Sequence, residues 1–333
     1  MTRLFAILFC MFVGLGPLRA ETAPACTGID LLAKLKTERP ADYADVMASA
    51  NAVPNHEALF WKIEREGLPD SHLLGTAHVT DSRVTTLRPD VEMALLTSDD
   101  VAFELEEIAS REQMALSSLR LARYMVLPGG QSLWDLVPDD QETLIRDNPN
   151  LAPGAVGSFF GYQPWVVATA LSLPLCKTLR VKDGAMPLDM KLAFLAQEKG
   201  IPIHGLETLE EQFTVLSGMP LDQQVDYLMA VARGAALVPD QFETLVSLYQ
   251  QRRVTALMPL MLKIQPMRDN EKKILEYVER DLIVKRNHRM AERALPLLQK
   301  GNLFIAVGAL HLSGKEGLVE LLRAAGYKVT AIH

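Results

Sequence analysis

Apolar residues along this chain fall into two kinds of run. Short, nearly continuous apolar blocks occupy 58–64, 71–75, 100–106, 201–204, 303–307 and 327–332. Blocks of that length, bounded by Gly, Pro, Asn or Asp, read as buried β-strands. The first two are separated by Glu66-Gly-Leu-Pro-Asp70, so they form a hairpin. The stretches between strands carry apolar residues at helical spacing instead. Leu31, Leu32 and Leu35 share one face of a helical region over 27–56, and Leu87, Val91, Ala94 and Leu95 do the same over 83–97. Residues 187–199 form another helix, stopped by Gly200. Residues 107–185 are mainly helical but broken by Pro128-Gly-Gly130, Pro149, Pro153 and Pro164, and 209–300 are almost wholly helical. The last unit is a strand (303–307), a helix from Lys315 to Ala325 stopped by Gly326, and a strand (327–332), which is a βαβ unit. The expected fold is α/β: one domain over 21–333 with a central mixed β-sheet, and large helical insertions at about 107–185 and 209–300.

Residues 1–20 break this pattern. Arg3 precedes a short apolar run from Leu4 to Val13, and small residues lead to Ala20. This is the layout of a secretory signal peptide, cleaved after Ala20 or alternatively Ala25, and the run is too short to span a bilayer comfortably. The residues before Cys26 fit a lipobox poorly. Loss of Arg3 and Arg19 with the leader takes the formal charge from −7 to −9. An acidic chain with no basic tract is a poor nucleic-acid binder, and nothing after residue 20 is apolar for long enough to cross a membrane. Of the three cysteines, Cys10 leaves with the leader. Cys26 and Cys176 then either pair, as an oxidising compartment permits, or remain two separate buried thiols. The expected location is periplasmic or secreted.

The chemistry centres on a pattern that occurs twice. Gly75-Thr-Ala-His78 follows the second strand, and Gly308-Ala-Leu-His311 follows the fifth. Each delivers an imidazole just past a strand end, the edge at which open α/β sheets place ligands. The glycines allow a tight turn and close approach to a bound group. Two histidines so delivered suggest a shared metal ion, although a histidine at a strand end also serves as a plain hydrogen-bonded cap. Glu104 and Glu106 end the third strand, where alternation puts both on one face. One could complete a His/His/Glu metal site while the other acts as a base, or both could belong to a solvated acidic turn with Glu107. Glu207 ends the fourth strand, with a helix N-terminal carboxylate near Glu210 and Glu211 as its bland reading. Asp189 reads similarly as an N-cap-region residue. Arg286 and Asn287 could reach the site edge and hold an oxyanion, or join Lys285, Arg289 and Arg293 in a solvated basic face. His56, His72, His204, His288 and His333 have no matched partner. No P-loop, His-Glu-x-x-His helix or Gly-x-Ser-x-Gly elbow is present.

Taken together, Gly75-Thr-Ala-His78, Phe103-Glu-Leu105, Gly205-Leu-Glu-Thr208, Arg286-Asn287 and Gly308-Ala-Leu-His311 resemble the TraB/GumN (also PrgY) family, from about residue 27 to the C-terminus. That family belongs with the Tiki metalloproteases and, more distantly, the erythromycin esterases and haem-binding ChaN-like proteins. The resemblance implies a metal-dependent site of His78, His311 and Glu104, with Glu207 and Arg286 at recurring polar positions, in a secreted bacterial protein. Membrane-anchored Tiki proteins cleave peptides, and this chain is expected to be without their anchor. PrgY-type relatives block a peptide pheromone, which fits capture as well as cleavage.

The resulting expectation is a metal-dependent hydrolase, most simply a peptidase acting on a peptide or small-molecule substrate. His78, Glu104 and His311 would bind zinc, manganese or cobalt. Glu106 or Glu207 would act as general base and Arg286 would stabilise the oxyanion. The competing expectations are a non-catalytic protein that captures a peptide, haem or other small ligand in the same pocket, and a structural protein whose histidines only cap strands.

Overall fold

The computed structural model describes residues 26–152 and 154–333, without the side chains of Ala109 and Arg111. The leader-like segment 1–20 lies outside the described residues.

Six strands form one sheet: β1 (Phe60–Glu64), β2 (Ser71–Thr76), β3 (Asp100–Leu105), β4 (Ile203–Glu207), β5 (Leu303–Gly308) and β6 (Lys328–Ile332), in the spatial order β4-β3-β5-β2-β1-β6. The run β4-β3-β5-β2 is parallel throughout, and β1 is antiparallel to both β2 and β6. The sheet is therefore mixed, as the strand blocks and their connections implied. The hairpin β1–β2 sits between the two strands of the C-terminal β5–helix–β6 unit, so β5 and β6 flank it rather than pair with each other.

Strand alternation divides the core into two layers. Phe60, Leu74, Val101, Phe103, Phe304 and Ala306 point to one side, where they pack on the helices Pro89–Leu96, Leu188–Glu198 and Val238–Gln250. Trp61, Ile63, Leu73, Ala102, Leu303 and Ile305 point to the other, against the helices Lys285–Leu298 and Leu318–Ala324. With both faces covered, the central strands have no need of polar positions, which is why they read as continuous apolar runs.

Helix ends follow local chemistry. Gly200 and Gly326 stop the helices before them in left-handed conformations (φ +69° and +88°) that a side chain would resist. The helical pattern over 83–97 resolves into two pieces, Ser82–Thr85 and Pro89–Leu96, because Pro89 cannot continue a helix but opens one well. The two helical insertions share a core. Met125, Leu133, Phe159, Trp165 and Leu171 of the first pack with Leu228, Met229 and Ala232 of the second. The N-terminal helices Leu31–Glu38 and Pro40–Asn51 pack through Leu31, Leu35 and Val46 on Leu248, Ala256 and Leu260. A disulfide between Cys26 and Cys176 ties this N-terminal region to the first insertion.

Candidate active site

Four adjacent parallel strands each send one polar side chain to the same edge of the sheet. Strand β2 leads to His78, β5 to His311, β3 carries Glu104 and β4 carries Glu207. The paired motifs lie side by side: Gly75 is opposite Val307 and Thr76 opposite Gly308, so the two Gly-x-x-His turns leave neighbouring strands one residue out of step. Neither glycine has a positive φ. Their role is therefore close approach rather than the tight turn expected from sequence. A Cβ on Gly75 would lie 3.0 Å from the Ala309 Cα in the partner turn, and one on Gly308 would lie 3.1 Å from Glu104 Oε1.

A helix from each layer begins at this edge and orients one histidine. Asp189, in the first turn of Leu188–Glu198, holds its Oδ1 2.9 Å from His78 Nδ1. Asn287, in the first turn of Lys285–Leu298, holds its Oδ1 2.6 Å from His311 Nδ1. The Asn287 amide is oriented by its other end, because Nδ2 donates to the Glu316 carbonyl at 2.8 Å, so the oxygen faces the ring. An oxygen facing Nδ1 fixes a proton there, so that Nε2 is the nitrogen with a lone pair whenever the ring is neutral.

Glu104 is the hub. Its Oε1 accepts from the Gly308 N–H at 2.7 Å and lies 3.9 Å from His311 Nε2. Its Oε2 accepts from Arg286 Nη2 at 2.7 Å and Gln212 Nε2 at 3.2 Å. The Glu207 side chain is fully buried; its Oε2 accepts from Arg286 Nε at 2.8 Å and its Oε1 from Arg289 Nη1 at 3.2 Å. Glu207 is thus the last strand residue and not a helix carboxylate. The following helix is capped by Thr208 and Glu211, which form a reciprocal box. Breaking a buried ion pair of this kind by removing one partner costs about 3–5 kcal/mol, because the other charge is left uncompensated.

The charges adjust to one another. Burial alone would raise the Glu104 carboxyl, but His311, Arg286, His78 and the Gly308 N–H outweigh it and hold it at about 2. Burial lowers the His311 imidazole to about 4, keeping it neutral. The Asp189 carboxylate draws His78 up to about 9, against the cost of burial. The His78 side chain still keeps 61% of its surface exposed, so solvent screens that pair and it orients the ring more than it stabilises the fold. Tyr249, whose hydroxyl donates to the Gly75 carbonyl at 2.7 Å, is pushed up by burial and by Asp189.

The site thus gathers His78, Glu104, His311, Glu207 and Arg286. It does not gather Glu106. Strand β3 ends at Leu105, and Glu106 opens a 3-10 turn with its side chain exposed, so the alternation that would have paired it with Glu104 has stopped. Arg286 is not a free cation: its guanidinium bridges Glu104 and Glu207, and Nη1 donates to the Leu282 carbonyl. Two neighbours escaped the sequence reading as site residues: Asp189 gave only a helix-start signal and Gln212 gave none. Asn287 was expected at the site edge, where it faces His311 Nδ1. Of the unmatched histidines, His204 faces Asp100 at 2.6 Å, His72 stacks on Phe60 and His288 faces Glu316.

Among the described residues, no three His, Cys, Asp or Glu side chains stand close enough together to hold an ion as they are placed. The donor chemistry nonetheless fits one. The neutral His311, a His78 that would give up its second proton to an ion, each with an oxygen facing Nδ1, and the nearby Glu104 carboxylate make a borderline-hard donor set of the type that zinc and its neighbours accept.

Residues 59–331 match the model of the TraB/PrgY/gumN family. The chain belongs to this family. Among curated proteins it is similar to metalloprotease TIKI1 of Danio rerio, 28% identical over 318 residues that cover 82% of this chain and 62% of the relative. Metalloprotease TIKI2 of Danio rerio is 26% identical, covering 82% and 60%, and metalloprotease TIKI1 of Homo sapiens is 26% identical, covering 82% and 61%. The chain therefore spans about three fifths of the length of these relatives. No solved structure matches it. Among the described residues, no helix is long and apolar enough to cross a membrane.

Proposed function

We propose that this family member is a metal-dependent peptidase, with a divalent ion held by His78, His311 and Glu104. The observation that carries the reading is the convergence of these three on adjacent parallel strand ends, with Asp189 and Asn287 backing the two imidazoles. The metalloprotease names of its relatives support the same class. A bound ion would supply Lewis acidity toward a peptide carbonyl and would acidify its own water.

The chain's residues do the rest. Asp189 and Asn287 hold the tautomers that turn Nε2 of each histidine toward the ion. Glu104 offers Oε1 on the His311 side, while Arg286 and Gln212 restrain Oε2. Sequence suggested Glu207 as a base and Arg286 as an oxyanion donor. Their mutual pairing favours positioning roles instead: Glu207 fixes Arg286, and Arg286 fixes Glu104. The metal is zinc, manganese or cobalt by donor type. A periplasmic or secreted location is supported by the leader-like segment 1–20 and by the Cys26–Cys176 disulfide.

The test compares wild type with His78→Ala and His311→Ala, measuring metal content by elemental analysis and peptide cleavage by mass spectrometry. Wild type is expected to carry metal and cleave, and both variants to lose both. Equal metal occupancy in all three proteins would sink the metal assignment. Peptide that binds but keeps its mass would convert the reading to capture.

A further inference from the structure

The helix Leu175–Lys182 begins beside the disulfide, and Lys177 follows Cys176 directly. The Lys177 side chain is buried, with the residue only 8% exposed, yet it forms no hydrogen bond and no ion pair with any described residue. Its Nζ is also not among the polar atoms wholly sealed off from solvent, so the ammonium keeps some contact with accessible space.

Its neighbours place this helix face near the end of β2. One turn on, and on the same helix face, Arg180 reaches Asp81 at 3.5 Å. Asp81 lies three residues after His78, so this face looks at the segment leaving β2. The charge of Lys177 bears on His78, and the Asp189 carboxylate, whose Oδ1 lies 2.9 Å from His78 Nδ1, bears on Lys177 without pairing with it directly. A lysine this deeply buried is ordinarily paired, because desolvation of its ammonium is costly. Burial does lower it, to about 8, with Asp189 opposing.

We propose that Lys177 anchors a substrate carboxylate beside His78, so that the enzyme selects peptides carrying a carboxylate close to the bond it cleaves. The inference rests on the peptidase reading of the site for its location, but not for its binding chemistry. The carboxylate has two sources, a free C-terminus or an Asp or Glu side chain, and both would supply the direct partner that Lys177 lacks among the described residues.

The experiment uses the full chain, stripped of metal by chelation, and three probes: acetyl-Ala-Ala free acid, acetyl-Ala-Ala amide and acetyl-Ala-Glu amide. Calorimetric binding is expected to favour the free acid or the Glu peptide over the plain amide by at least about tenfold, the size of effect that one lost charged contact produces. Whichever of the two wins identifies the source. Lys177→Met should abolish the preference while keeping the apolar stem, and Lys177→Arg should retain part of it. Equal or undetectable binding of all three probes by wild type overturns the proposal without any variant. A preference that survives Lys177→Met overturns it too. Cleavage by the metal-loaded enzyme is read separately. Carboxylate preference without turnover leaves the anchor standing and removes the peptidase reading, and turnover without preference does the reverse.

Discussion

At His311 a single amide decides what the ring can do. Asn287 Oδ1 sits 2.6 Å from Nδ1 and is itself oriented by the Glu316 carbonyl. Replacing Asn287 with Ala leaves the ring able to rotate and to exchange tautomers. Loss of such a backing partner typically costs 10–100-fold in metal affinity. Asn287→Ala is therefore expected to weaken metal binding by about that factor with little loss of fold, measured by competition with a chelator. Unchanged affinity would show that the amide is only structural. Gly308 is the second residue-scale control. An added Cβ would stand 3.1 Å from Glu104 Oε1 and 3.5 Å from His311 Cδ2, displacing the carboxylate or the ring. Gly308→Ala should reduce cleavage by up to about 100-fold, as small misplacements at reacting centres do. Its thermal unfolding should stay near wild type. Intact activity would remove the close-approach account of this glycine.

The element that does most to assemble the site is the helix Lys285–Leu298, which follows a π-helical segment, Val278–Val284. Segments of that kind are frequent at functional sites. Arg286, Arg289 and Arg293 form a basic edge along this helix, and it is not left to solvent. Arg286 and Arg289 bond Glu207, and Arg293 bonds Glu211 through both guanidinium nitrogens at 2.7 Å. Hydrogen bonding from Arg293 holds the Glu211 carboxyl at about 2, with burial opposing and the Thr208 N–H assisting. A carboxylate depressed in the folded state contributes stability above its unfolded value near 4.5, and loses it as pH falls toward 2. The difference in melting temperature between wild type and Glu211→Gln is expected to be full above about pH 5 and to vanish near pH 2. A constant difference across that range would mean the contact is not ionic in its effect.

At the scale of the whole molecule, the Cys26–Cys176 bond closes a covalent loop between positions 150 residues apart. Residues just beyond Cys26 are also held by hydrogen bonds from the Ile29 N–H to Asp240 and from the Leu31 N–H to Thr244. Removing a native disulfide typically costs about 2–5 kcal/mol. Cys26→Ser and Cys176→Ser should each lower the urea midpoint by a matching amount, and a reductant should do the same to wild type alone. A midpoint unaffected by reductant would mean that the two thiols do not pair in solution.

Much of the fold was legible because strand and helix periodicities are local. The apolar blocks located all six strands, and Gly200 and Gly326 marked helix ends by their own backbone freedom. Glu104, His78 and His311 were legible because each sits at or just past the end of such a block. Glu106 was misplaced because the end of a strand depends on where its neighbours stop pairing, and β3 stops at Leu105. Sequence by itself determined the element types, the repeated Gly-x-x-His and the candidate ligands. Only the tertiary structure decided that β2, β5, β3 and β4 lie side by side, and that Asp189, Asn287 and Arg286 meet His78, His311 and Glu104. Those pairings join residues up to 182 positions apart. A carboxylate or guanidinium keeps the same local signature whether it ends in water or in a buried pair, so its partner is fixed by strand order and packing, which no local pattern encodes.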